Sequence, residues 1–121
     1  MNQRYNTTYV GTELKMHIGF MYQGGKVTID QLEDFEAEFF CERGRSQIFK
    51  KTTDIGRGLY FETTTIDGVT RYDYYAKVDT NVVGPGYLKM KFTAYIRDGE
   101  QIRKEVAGCT SNVRIVDDYT Y

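Results

Sequence analysis

From Glu13 the chain alternates with a period of two: Leu14, Met16, Ile18 and Phe20 fall on one face, Lys15, His17 and Gly19 on the other. A period of two belongs to an extended chain with one face buried, so this segment predicts a strand with His17 on its solvated side. QGGK at 23–26 signals a turn. The next residues, VTIDQLED, read two ways: Val27 and Ile29 suit a short strand, while Asp30 followed by Glu33 suits the start of a helical turn. In DFEAEFFCE, Phe35, Ala37, Phe39 and Cys41 alternate with Glu36, Glu38, Phe40 and Glu42. A helix would stack Phe35 on Phe39 and point Ala37 and Cys41 elsewhere, so a strand with a wet outer face is the consistent reading.

ERGR at 42–45 turns the chain, SQIFKK forms a short strand, and residues 52–58 form a loop. Leu59, Phe61 and Thr63 then share a face, and Asp67-Gly68 is the dipeptide of a tight hairpin. The returning strand places Tyr72, Tyr74, Ala76 and Val78 opposite Asp73, Tyr75, Lys77 and Asp79. After Pro85, which no central ladder accommodates, Leu88, Met90, Phe92, Ala94 and Ile96 face in, with Tyr87, Lys89, Lys91, Thr93 and Tyr95 facing out. Asp98-Gly99 turns again, Ile102–Val106 begins a strand, Gly108 is expected to break it with a bulge or bend, and Val113 and Ile115 complete a last strand.

The reading divides the chain into a flexible N-terminal arm over 1–11, a β-sandwich domain over 12–116 and a C-terminal tail over 117–121. About seven to eight short antiparallel strands with no helix of ten residues predict an all-β fold, two sheets packed face to face. An immunoglobulin-like β-sandwich is the first expectation, with a jelly roll or small barrel as the alternatives. The inter-sheet disulfide and buried Trp of antibody domains have no counterpart here, so the expected likeness is one of architecture.

Composition narrows the function. The 121 residues carry 16 Lys+Arg against 17 Asp+Glu, a net charge of -1, which disfavours nucleic acid as partner because phosphate attraction needs a positive excess. Arg43, Arg45, Lys50 and Lys51 cluster locally, and Tyr87, Lys89, Lys91 and Tyr95 interleave rings with charge. A solvated cross-strand ladder explains the latter equally well. No apolar run spans a bilayer and no leader pattern opens the chain, so the expectation is synthesis in the cytoplasm and no membrane partner. Cys41 continues the inward series and reads as a small buried hydrophobe; Cys109 lies beside Gly108 and is expected to be partly exposed. His17 is the one histidine, Ser46 and Ser111 lack a nucleophile-elbow context, and the glycines at 56–58 and 84–86 lack a phosphate-loop context. The expectation is therefore no enzyme: no catalytic residues, no cofactor and no metal site.

The informative surplus is tyrosine: 11 Tyr and 7 Phe with no Trp. Tyr5, Tyr9, Tyr75, Tyr87, Tyr95, Tyr119 and Tyr121 fall on the ends or on outward faces and are the candidate interface residues, since a tyrosine ring buries area while its hydroxyl stays satisfiable. The pattern points to partner binding or self-assembly.

Residues 78–106, VDTNVVGPGYLKMKFTAYIRDGEQIRKEV, carry Val78-Asp79-Thr80, the pair Val82-Val83, Gly84 and Gly86, Thr93–Ile96, the Asp98 turn and Lys104–Val106. In this order they resemble a segment of small Ig-like virion structural proteins of Bacteroidales phages and prophages, including crAss-like phages. Residues 35–51, FEAEFFCERGRSQIFKK, resemble the same proteins' strand, Gly-Arg turn and Lys-rich strand. The Leu59–Val78 hairpin is longer than that pattern. The resemblance implies an auxiliary capsid (capsid decoration), head-fibre or attachment protein, or else a tail or baseplate adaptor. It also implies residence in the virion, a homo-oligomer in the particle, and the major capsid protein or other virion proteins as partners. A carbohydrate- or host-surface-binding module is the competing class.

Overall fold

The structure is a computed structural model, and it describes residues 6–18, 20–22, 25–27 and 32–117. The strands are β1 (Asn6–Tyr9), β2 (Glu13–Ile18), β3 (Phe20–Tyr22), β4 (Gly25–Val27), β5 (Leu32–Phe40), β6 (Gln47–Lys50), β7 (Leu59–Ile66), β8 (Val69–Asp79), β9 (Gly86–Asp98) and β10 (Gln101–Val116). Single helical turns, α1 (Lys51–Asp54) and α2 (Thr80–Val83), follow β6 and β8. A five-stranded sheet runs β1-β10-β9-β5-β6, a three-stranded sheet runs β2-β8-β7, and β3 pairs with β4 as a separate ribbon. The chain is thus an all-β domain in which an antiparallel-rich five-stranded sheet packs on a smaller antiparallel one. Expected single strands divide: the stretch from Glu13 to Phe20 passes from β8 as partner to the β3–β4 ribbon.

The two alternating patterns meet in the core. Phe35, Ala37, Phe39 and Phe49 face Leu59, Tyr74, Ala76 and Val78, and Leu88, Val113 and Ile115 extend the same buried cluster. Phe35 meets Tyr74 edge-on at 5.4 Å between ring centroids, and Phe39 does the same with Phe49 at 6.0 Å. The hairpin at Asp67-Gly68 forms as expected, with φ of 52° and 77°, the left-handed pair that matches strand twist. Its outer half is not covered by the other sheet, so Phe61 and Thr63, which share a face with buried Leu59, and Tyr72, which shares one with buried Tyr74, are exposed. Thr93, read as outward, is buried, because a small side chain in a central strand lies low between Glu36 and Val106.

Three further departures have local causes. Asn6–Tyr9, read within an arm, pairs in parallel with Val113–Val116; residues 1–5 lie outside the described residues, as do 28–31 of the ambiguous VTIDQLED stretch. The loop expected at 52–58 opens with α1, held by Asp34, whose carboxylate accepts from the Thr52 backbone N–H at 3.1 Å and from its hydroxyl at 3.0 Å. Gly108 does not break β10, which continues to Val116; the irregularity falls between Thr110 and Arg114. There the buried Ser111 hydroxyl donates to the Leu88 carbonyl at 2.8 Å and accepts from the Val113 N–H at 3.1 Å, satisfying backbone groups that the shifted ladder leaves open.

One end of the sandwich is closed by contacts around α2. Buried Thr80 donates its hydroxyl to the Thr12 carbonyl at 2.5 Å and accepts from the Gly11 N–H at 2.9 Å, tying the β1–β2 turn to α2. Asp79 caps the turn by accepting from the Asn81 N–H at 2.9 Å, and Arg45 N–H donates to the Val82 carbonyl at 3.0 Å. A Cβ on Gly44 would overlap the Val83 carbonyl oxygen, so this crossing tolerates no side chain. Gly44→Ala is expected to destabilise the fold by about 2–3 kcal/mol, read as a lowered urea midpoint at unchanged m-value. Ser111→Ala should cost about 1–3 kcal/mol, because the Val113 N–H loses its buried acceptor; an unchanged midpoint would remove Ser111 from its assigned role.

Candidate functional site: the outer face of the five-stranded sheet

Residues directly opposite one another in a ladder share a face, so the register assigns each candidate. Thr7, Arg114 and Tyr87 lie on one rung, Glu36 and Thr93 on another, and Asp34, Tyr95 and Lys104 on a third, all on the outer face of the large sheet. Tyr9, two residues beyond Thr7, shares this face. Three of the seven candidate tyrosines, Tyr9, Tyr87 and Tyr95, are therefore gathered on one surface from two strands far apart in sequence. Tyr9 is 56% exposed and Tyr87 46%, whereas Tyr95 is half-buried. The Arg114 guanidinium lies 5.8 Å from the Tyr87 ring centroid, a cation–π contact.

Three exposed aliphatic side chains complete the surface: Ile48 on β6 and Ile102 and Val106 on β10, the last two each 52% exposed. The charges between them are in stripes, with Asp34, Glu36 and Glu38 on β5 beside Lys89, Lys91 and Arg97 on β9. Many pair within the face: Lys50 with Glu36 at 3.2 Å, Lys89 with Glu42 at 3.6 Å, and Arg97 with Glu33. The hydrogen bond to Glu36 raises the Lys50 ammonium above its ordinary value. Lys50 and Lys89, each part of a local basic group in the sequence, are thus in contact with carboxylates, and the face is a mosaic of both charges.

Tyr75 lies on the opposite side of the molecule, on the outer face of the small sheet. It is half-buried, stacks on Tyr60 at 5.7 Å and carries the Lys15 ammonium 4.3 Å from its ring centroid; Lys77 sits 4.7 Å from the Tyr60 centroid. Lys15 also bonds Glu62 at 2.7 Å, which raises the Lys15 ammonium and draws the Glu62 carboxyl below its ordinary value. His17 is exposed, as expected, and tilts against Tyr75 at 6.2 Å. This is a cross-strand ladder that consumes the ring faces. Tyr5, Tyr119 and Tyr121, and the 118–121 part of the tail, lie outside the described residues, as does the Cys109 side chain.

Two shallow depressions flank the tyrosine face. One of about 490 Å³ runs past Tyr87 between Arg43 and Arg114, with Glu42 and Asp117 at its rim. The other, about 450 Å³, lies between Tyr95 and Ile102 with Asp34, Glu36 and Lys50 on its walls. Both can seat a side chain of another protein or a polar ligand. Among the described residues no group of three His, Cys, Asp or Glu converges as a metal site would require.

The sequence reading passed over Ile48, Ile102 and Val106, and also Ile66 and Val69, which stand exposed on either side of the Asp67-Gly68 turn. The sequence reading began a strand over Ile102–Val106, but a strand pattern does not say what covers either of its faces. No protein-family model matches the chain, and no curated protein matches it.

Cys41, by contrast, sits where the alternation placed it, buried and unbridged, and burial pushes its thiol up from its ordinary value. In a Cys109→Ser background, Cys41 should therefore resist a thiol-specific reagent in the native protein and react fully in denaturant; rapid native labelling would contradict the packing described here.

Proposed function

We propose that the chain is a non-enzymatic assembly protein: an Ig-like β-sandwich that serves as an auxiliary component of a phage virion, as capsid decoration or head-fibre attachment protein. The observation that carries the assembly reading is the outer face of the large sheet, where Tyr9, Tyr87, Ile48, Ile102 and Val106 are exposed on a rigid ladder. Aromatic anchors set among internally paired charges are what a docking surface needs: apolar area to bury and little unpaired charge to desolvate.

The Ig-like assignment is supported by strand order. With β2, β8 and β7 taken as strands B, E and D, and β10, β9, β5 and β6 as G, F, C and C′, the order B-E-D against G-F-C-C′ follows the variable-type arrangement. In this reading the β3–β4 ribbon is an insertion between B and C, and β1 is an additional strand beside G. The viral context rests on the resemblance of residues 78–106 and 35–51, with other virion proteins, the major capsid protein first, as the partners. The particle is the site of action after synthesis in the bacterial cytoplasm. A tail or baseplate adaptor uses the same chemistry at a different place in the particle.

The Tyr87 depression favours one other reading, a carbohydrate or host-surface module, because a ring beside Arg43, Glu42 and Asp117 offers a sugar both stacking and hydrogen bonds. The test is incorporation of the chain into particles produced from a genome that encodes it. The double variant Tyr9→Ser, Tyr87→Ser should keep its circular dichroism and melting profile yet enter particles at least about tenfold less. Normal incorporation would sink the role given to this face. Immunogold labelling on heads supports decoration and on tails the adaptor, while glycan binding by the isolated chain, lost in Tyr87→Ser, would replace assembly by the carbohydrate reading.

A further inference from the structure

Strand β10 has two different borders. Along Val113–Val116 its outer edge is taken by β1, but along 101–110 it pairs with β9 alone among the described residues. That leaves a ten-residue row of backbone donors and acceptors on an open edge, with no proline and two exposed aliphatic side chains, where sandwiches ordinarily shorten or block an edge. The large sheet's opposite edge shows that economy: β6 has four residues and ends in α1.

We infer that this edge pairs with the same edge of a second copy, antiparallel, about a two-fold axis through Lys104. The sequence of the strand is complementary to itself in that register. Arg103 falls opposite Glu105 of the second copy and Glu105 opposite its Arg103, both on the inner face; Ile102 falls opposite Val106 and the reverse, both on the outer face. A two-fold perpendicular to the sheet keeps inner with inner and outer with outer, so the charged pair and the aliphatic pair flanking the axis are each chemically matched. The alternatives one step away are worse: centring on Arg103 sets Arg103 against itself and Ile102 against Lys104, and centring on Glu105 sets Glu105 against itself. Arg103 and Glu105 already touch at 3.5 Å within one chain, with both side chains over 40% exposed, so each is placed to reach across the edge. The second copy's turn falls opposite Gly108 and Cys109 and therefore clears β1, which begins opposite Val113. The outcome is one continuous sheet that joins the outer faces of two molecules into a single docking surface.

The inference deepens the assembly reading and rests on it. Two like-charged Lys104 side chains on the axis oppose the pairing, so the dimer is a weak one, populated at about 0.1 mM chain and above. Light scattering on the full-length protein across that range should show it. Arg103→Glu and Glu105→Arg should each weaken dimerisation about tenfold, and the double swap should restore it. In a Cys109→Ser background, Lys104→Cys should form an intermolecular disulfide under mild oxidation, since directly opposed Cα atoms lie within bonding range. Ile102→Cys should not, but Ile102→Cys with Val106→Cys should. A chain monomeric to ~1 mM, single swaps without effect in a folded protein, or cross-linking that ignores this register would overturn the edge pairing. Virion incorporation that persists in such a monomer leaves the assembly reading standing, so the two can fail separately.

Discussion

Three strands packed on five cannot cover them, and most of what is distinctive in this molecule follows from that shortfall. The small sheet packs against the large one where Phe35, Phe39 and Phe49 join Leu59, Tyr74, Ala76 and Val78 in one buried cluster. Dispersion and the loss of water from these rings favour the pairing of the two sheets, with full burial of each such side chain contributing about 1.5–3 kcal/mol. Beyond the overlap, both long hairpins run on without cover. The β7–β8 hairpin therefore presents Phe61 and Tyr72, and the inner face of the first half of β10 presents Arg103 and Glu105, which a larger opposing sheet would have covered.

Rigidity at the other end of the sandwich is supplied by polar atoms. Thr80 satisfies the Gly11 N–H and the Thr12 carbonyl from a fully buried position, and Gly44 lets two backbone segments cross where no Cβ fits. Such contacts are directional, so they fix the β1–β2 turn, and with it the start of the sheet face on which Tyr9 sits, more narrowly than apolar packing alone. A docking surface held this way loses little conformational entropy when it is covered, which is the condition for weak individual contacts to add up in an assembly.

Electrostatics serves the same end. Carboxylate and ammonium groups stand side by side on the outer face of the large sheet, and three pairs form there, so the face carries both signs of charge in contact. Exposed pairs of this kind contribute little to stability. Their consequence lies in binding: they leave few isolated charges to strip of water, while Arg103 and Glu105 at the open edge retain opposite signs at neighbouring inner-face positions.

Much of the fold was legible because local chemistry decides it. Alternation of Phe35, Ala37, Phe39 and Cys41, or of Tyr74, Ala76 and Val78, suits a half-buried strand and nothing else of that length, and Asp67-Gly68 selects its turn by the sign of φ. The all-β class, the inward sets and the burial of Cys41 could be read before any coordinates. Other features depend on partners distant in sequence. Asn6–Tyr9 has no pattern of its own and becomes a strand because β10 offers it an edge; Ser111 matters because the ladder shifts there and frees backbone groups. Whether Tyr75 or Tyr87 meets solvent was equally undecidable from alternation, which assigns a face but not what lies over it. Tertiary structure spends Tyr75 on Tyr60 and Lys15, brings Tyr9 onto the face that carries Tyr87, and leaves Phe61 and Tyr72 bare, because cover is a property of how far one sheet reaches across the other.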